Sequence, residues 1–83
     1  MEWKEKDNAL HKTFVFRQFS DAIRFMNASV PKIEEINHHP EWSNIYNRVT
    51  CKLCTHDEGN IITQKDYDLS KILDETYLEI VRP

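Results

Sequence analysis

The sequence predicts an α+β fold, a two-layer sandwich in which a four-stranded antiparallel sheet carries two main helices on one face, in the order β-β-α-β-β-α. Three observations carry that expectation. Short alternating runs rich in aromatic and β-branched residues occupy the beginning and the middle of the chain. Two longer stretches repeat apolar residues at three-to-four-residue spacing. Only turn-sized polar segments separate these runs, so the 83 residues form one domain, 1–83, with no linker and no repeat.

The first turn falls at Asp7-Asn8, two residues that tolerate left-handed backbone geometry. Leu10, Lys12, Phe14 and Phe16 then alternate with His11, Thr13, Val15 and Arg17, which predicts a strand. Trp3 to Lys6 pairs with it as a short hairpin partner. Ser20 is the expected N-cap of the first helix, with Asp21 in the first turn where the helix dipole favours a negative charge. Ala22, Ile23, Met26, Val30, Ile33 and Asn37 mark one face of a helix from about 20 to 37. Pro31 interrupts it, which predicts either a kink near Asn27-Ala28 or two shorter helices, since an interior proline costs about 3 kcal/mol or more.

Pro40 stops that helix, and strand character runs from Trp42 to His56. A run that long predicts a bend or two strands joined near Asn47. In its second half Val49, Cys51 and Leu53 make one face, and Arg48, Thr50, Lys52 and Cys54 the other. Asp57-Glu58-Gly59-Asn60 is a polar turn. Thr63 caps the last helix, with Asp66 three residues on in a capping-box arrangement, and Leu69, Ile72, Leu73, Tyr77 and Ile80 give its apolar face.

Composition bounds the function. Fourteen acidic and 11 basic residues give a net charge of -3, with no basic block, so direct nucleic-acid binding is not expected. No apolar run approaches the ~20 residues of a bilayer span, and the charged amino terminus lacks the apolar centre of a secretory leader. A cytoplasmic protein with reduced thiols is the expectation. Gly59 is the only glycine, which excludes Gly-rich phosphate-binding loops and leaves the chemistry to side chains. A domain this small gains stability by self-association, which predicts a homo-oligomer.

Three of the four histidines, His38, His39 and His56, stand at the ends of secondary elements, where imidazoles are presented to a site. An imidazole titrates near pH 6.5 unperturbed, so it both gives and takes protons at neutral pH. Glu34, four residues before His38, is placed to orient it, and Asp66 is a further carboxylate that turns toward the cluster or simply caps. His11 reads as an ordinary surface histidine. Zinc is the rival, since the histidines and Cys51-x-x-Cys54 supply nitrogen and sulfur. Cys51 and Cys54 are an odd number of residues apart on a strand and point to opposite faces, so no metal is expected.

The spacing Glu34-x-x-x-His38-His39-Pro40, with Tyr46, His56 and Asp66 following, closely resembles the signature of the pterin-4a-carbinolamine dehydratases. The run His38-His39-Pro40-Glu41-Trp42-Ser43-Asn44-Ile45-Tyr46-Asn47, together with Thr55-His56-Asp57, carries most of the likeness. It extends through Phe14, Phe16, Phe19, Ala22, Phe25 and Met26, and more weakly to Trp3.

The resemblance implies dehydration of a 4a-hydroxytetrahydropterin to the quinonoid dihydropterin, in support of aromatic amino-acid hydroxylases, by a homodimer or homotetramer. The pterin is the substrate, with neither metal nor organic cofactor. Carried over, His38, His39 and His56 are the catalytic and substrate-binding groups. Glu34 supports them, Trp42 walls the pocket and Asp66 borders it. Asn37 departs from the acidic residue that often precedes the His-His pair in that family, and Ala28 to Lys32 departs from its usual proline-free helix. Many members also carry a longer amino-terminal segment with an extra helix. Some animal members double as a dimerisation cofactor for a homeodomain transcription factor, a binding role that needs an exposed helical surface and not the histidines.

Overall fold

In the computed structural model, which describes residues 2–82, four strands form one antiparallel sheet: β1 (Lys4–Lys6), β2 (Ala9–Val15), β3 (Glu41–Ile45) and β4 (Arg48–Leu53). Their spatial order is β1-β2-β4-β3, so two hairpins lie side by side and β2 pairs with β4 from Leu10↔Leu53 to Val15↔Arg48. Two 18-residue helices, α1 (Phe19–Ile36) and α2 (Gln64–Val81), cover one face. The predicted two-layer α+β architecture is the observed one.

Each hairpin has a local cause. Asp7 and Asn8 sit at φ 51° and 61°, the left-handed pair that a two-residue turn between right-twisted strands requires. The expected bend near Asn47 is a second two-residue connection, Tyr46-Asn47, with Tyr46 at φ 51°. Asn44 stabilises it by donating from Nδ2 to the carbonyls of Tyr46 and Arg48, at 3.0 and 2.9 Å. Asn47 ties this tip to the end of β2, where Phe16 N–H donates to its carbonyl and its own Nδ2 donates to Phe16 O. The strand character expected as far as His56 ends at Leu53, because His56–Glu58 form a 3-10 turn closed by Gly59 at φ 89°.

Helix α1 corrects three expectations. Its cap lies two residues before the anticipated Ser20: Gln18 is the extended residue, and its carbonyl accepts from the N–H groups of Asp21 and Ala22. Pro31 breaks nothing. Asn27, whose carbonyl loses its helical partner, is exposed like Pro31 itself, on the side where solvent can hydrate the freed group, and the helix runs on unbroken. The buried face is Ala22, Phe25, Ser29 and Ile33, turned from the predicted one so that Val30 lies 46% exposed. A serine is admitted because its hydroxyl donates to Phe25 O of its own helix at 2.8 Å. Helix α2 is as read, starting from Thr63 with its capping box to Asp66.

The core lies between sheet and helices: Leu10, Phe14 and Phe16 from β2 and its end, Val49, Cys51 and Leu53 from β4, and Leu69 and Leu73 from α2. Phe14 and Phe16 each pack on Phe25 and Tyr77 with ring centroids 4.9 to 5.3 Å apart in tilted and edge-on contacts. Lys12 also points inward. Its side chain is 10% exposed, and its Nζ lies 2.7 Å from Asp74 Oδ1, to which Trp3 Nε1 also donates. Burial in this core pushes the Cys51 thiol up to about 12, so it is an inert packing residue at physiological pH. Cys54, beyond the end of β4, is half-buried, and both thiols are free. No helix among the described residues is long and apolar enough to cross a membrane.

Candidate active site

The site is built where the end of α1 faces the start of α2. Asn37 ends α1 in a left-handed conformation, φ 51° and ψ 44°, with its N–H on Glu34 O. Asparagine tolerates that geometry better than most side chains do. The chain then runs through His38, His39 and Pro40 into β3, and Pro40 keeps it from re-entering a helix.

The two histidines part company there. His38 turns inward and is nearly covered, its side chain 12% exposed, with Nε2 2.6 Å from Oδ1 of Asp66. Asp66 has no exposed side-chain surface, and its other oxygen, Oδ2, accepts from Thr55 Oγ1 at 2.8 Å and from Thr63 N–H at 2.9 Å. A carboxylate with this many donors is held in one orientation. The same residue therefore caps α2 and holds a histidine.

His39 faces outward, and its Nε2 donates to Glu34 Oε2 at 3.0 Å with both side chains more than half exposed. The expectation that Glu34 orients His38 is thus corrected: its partner is His39. Helical spacing would have stacked Glu34 under His38, but the left-handed step at Asn37 ends that register one residue too early. His39 lines a shallow hollow of about 130 Å³ with Val30, Ile33, Glu34, Pro40 and Trp42. Trp42, on the inward-leaning side of β3, packs against the core, with its ring 6.4 Å from that of Phe25. A hollow of about 330 Å³ between β2 and α2, and one of about 710 Å³ between the start of α1 and the end of α2, contain no histidine.

His56 opens the 3-10 turn, exposed, and its Nδ1 donates to Asn60 Oδ1 at 2.6 Å. Asn60 is itself left-handed, at φ 60°. His56 belongs to the same end of the molecule as His38 through its neighbour Thr55, which touches Asp66 directly. Thr55 and Asn60 are the two residues that sequence reasoning assigned no role. The signal for Asn60 is its place in a polar turn four residues after a histidine; the signal for Thr55 is its place beside His56 in the Thr55-His56-Asp57 stretch, which gives it no role by itself.

Each of the three imidazoles therefore gives one nitrogen to an oxygen acceptor, and its other nitrogen makes no hydrogen bond among the described residues. A small α+β domain carrying such acceptor-held histidines at one end is suited to proton transfer on a small molecule. The family model described as pterin 4 alpha carbinolamine dehydratase matches residues 1–76. The chain belongs to the pterin-4a-carbinolamine dehydratase family.

Two relatives provisionally named pterin-4-alpha-carbinolamine dehydratases show how close the likeness is. One, from Opitutus terrae, is 45% identical over 69 residues, covering 83% of this chain and 71% of the relative. Another, from Thermosynechococcus vestitus, is 46% identical over 71 residues, covering 86% and 74%. Among solved structures, a transcriptional coactivator/pterin dehydratase from Brucella melitensis superposes with a TM-score of 0.85 at 36% identity, covering 90% of this chain and 81% of that one. A pterin dehydratase-like protein identified as a RuBisCO assembly factor in the alpha-carboxysome shares the fold, with a TM-score of 0.73 at 19% identity.

Proposed function

We propose that this chain dehydrates 4a-hydroxytetrahydropterin to quinonoid dihydropterin, as a cytoplasmic homodimer or homotetramer that recycles the pterin released by aromatic amino-acid hydroxylases. The observation that carries the reading is the 2.6 Å contact between His38 and the fully buried Asp66, which holds one imidazole at a fixed angle within a histidine set of the family's spacing.

The reaction removes the hydroxyl from C4a and the proton from N5. A base takes the N5 proton, an acid protonates the departing hydroxyl, the C4a–O bond breaks, and the N5 electron pair closes the C4a=N5 double bond with release of water. Imidazoles serve both ends, each typically contributing about 10²–10⁴-fold. His38 and His56 transfer protons, while His39 binds substrate and supplies a proton at the mouth of the site. Glu34 supports His39, Trp42 forms an apolar wall, and Asp66 holds His38. This chemistry calls for neither metal nor organic cofactor.

Stopped-flow absorbance of 4a-hydroxytetrahydropterin, generated by a hydroxylase, tests the assignment. The protein should speed formation of the quinonoid product, and a His38→Ala/His56→Ala variant should not. No acceleration by the unaltered protein would overturn it.

A second reading, a dimerisation cofactor for a transcription factor, is favoured by one observation. Helix α1 is continuous through Pro31 and presents Phe19 and Val30 at 50% and 46% exposure, so the helical surface such a role needs is intact. It predicts that a variant with His38, His39 and His56 all replaced by alanine still recovers a transcription factor in a pull-down.

A further inference from the structure

Thr55 makes the contacts of a hub. Its backbone holds the turn that carries His56: its N–H donates to Ile61 O at 2.8 Å, and its carbonyl accepts from the N–H groups of Asn60 and Glu58 at 3.0 and 3.3 Å. Its hydroxyl, 2.6 Å from Thr63 Oγ1 and 2.8 Å from Asp66 Oδ2, belongs to the network that holds His38. The residue is 2% exposed, so water does not compete for these bonds.

The directions of these bonds follow from counting protons. A carboxylate offers lone pairs only, and a threonine hydroxyl has a single proton to give. Thr55 spends its proton on Asp66, so the Thr63–Thr55 contact is donated by Thr63, whose oxygen in turn accepts from Lys65 N–H at 3.3 Å. Donation therefore runs one way, from Lys65 N–H through the hydroxyls of Thr63 and Thr55 to Oδ2 of Asp66. Oδ1 is left facing the His38 ring, and that ring nitrogen must carry the proton.

We propose that Thr55 is a positioning residue for the dehydration. By aligning the Asp66 carboxylate it fixes neutral His38 as the Nε2–H tautomer, so that His38 meets the pterin through the Nδ1 lone pair, as a base. The assignment of a base role rests on the function proposed above; the tautomer does not. His38 then takes the N5 proton, and delivery of a proton to the departing hydroxyl falls to His56 or His39. Because the backbone of Thr55 also anchors the turn bearing His56, one residue links the placement of the base, through its hydroxyl, to that of a candidate acid.

The test pairs ring ¹⁵N NMR of the full chain, labelled at histidine, with the pH dependence of the dehydration rate in wild type, Thr55→Val and Thr55→Ser. Valine keeps the shape and removes the hydroxyl; serine restores it. In wild type, at a pH where the His38 ring is neutral, its Nε2 should resonate as protonated and its Nδ1 as unprotonated.

Thr55→Val should give a mixture of tautomers, a rate lower by about tenfold to a hundredfold and a displaced limb of the pH–rate profile. Thr55→Ser should return all three toward wild type. A wild-type His38 protonated on Nδ1 overturns the proposal without any variant, which covers the case in which Thr55→Val does not fold. A folded Thr55→Val protein with the wild-type ring spectrum overturns it as well. Absence of dehydratase activity in wild type with the expected tautomer and its loss in Thr55→Val would strike the proposed reaction and the base role, and leave the positioning by Thr55 standing.

Discussion

His38 and His39 are neighbours in sequence and opposites in environment. Both rings donate to a carboxylate, at 2.6 and 3.0 Å, yet the first pair is closed off from solvent, 12% and 0% exposed, and the second lies open at 57% and 65%. The split falls in the short connection between the end of α1 and the start of β3, where Pro40 biases the preceding His39 away from helical geometry. One imidazole is thereby committed to the interior and its neighbour to the rim. A carboxylate in water competes with the solvent for its partner, whereas a buried one keeps it. The buried pair is therefore the site's fixed point, and the exposed pair is the part free to adjust to a ligand.

Removing the fixed point should have the largest effect. Asp66→Ala deletes the acceptor of His38, Thr55 and Thr63 at once, including one side of the α2 capping box. Breaking one side of a buried charged network costs about 3–5 kcal/mol. Urea denaturation should show that loss, and a loss below 1 kcal/mol would mean that the network contributes little and that the contrast between the two pairs is only geometric.

The next comparison sets His38→Ala against His39→Ala. The first leaves the buried Asp66 short of a donor and should cost about 1–3 kcal/mol; the second should change stability by no more than about 0.5 kcal/mol, as surface substitutions do. Both should slow dehydration if the proposed roles hold. Thermal unfolding of the two variants side by side checks the ranking, and equal destabilisation would erase the distinction.

Much of this contrast was not legible in the sequence. The two hairpins, the capping box and the apolar face of α2 were, because each depends on residues within a few positions of one another. Asp7-Asn8 names its own turn, and Thr63 with Asp66 names its own helix start. The expected face of α1 runs through Ile23, Met26 and Val30 and omits Phe25 and Ser29, whereas Ser29 satisfies its hydroxyl within the helix and is buried beside Phe25 at no loss of hydrogen bonding. Glu34 was matched to the wrong histidine because helical spacing was extended across Asn37, where the backbone turns left-handed. The role proposed for Thr55 depends on Asp66, 11 positions on, and on His38, 28 positions before Asp66, contacts made only when the segments after β4 and after α1 both meet the start of α2. Local chemistry is written locally; the site is assembled from distant pieces.

His56 offers a case between the two extremes. It is exposed, yet its Nδ1 is held by Asn60 Oδ1 at 2.6 Å. Asn60→Gly removes the acceptor without straining the backbone, since glycine adopts φ near 60° freely. Stability should stay within about 0.5 kcal/mol, while the proposed proton transfer by His56 slows as its ring loses orientation. An unchanged dehydration rate would show that His56 needs no such hold.

The smallest effect belongs to Glu34. Glu34→Gln keeps an acceptor oxygen for His39 while removing the charge, so it separates hydrogen bonding from ion pairing at the exposed pair. Exposed pairs of this kind are worth roughly 0–1 kcal/mol and are screened by salt, with a Debye length of about 3 Å at 1 M. Denaturation midpoints of wild type and Glu34→Gln should therefore differ slightly at low salt and converge at 1 M. The His38–Asp66 pair, out of solvent, should show no such convergence when wild type is compared with Asp66→Asn across the same salts. If the Glu34 difference persists at high salt, His39 is held by more than an open ion pair, and the rim of the site is as rigid as its floor.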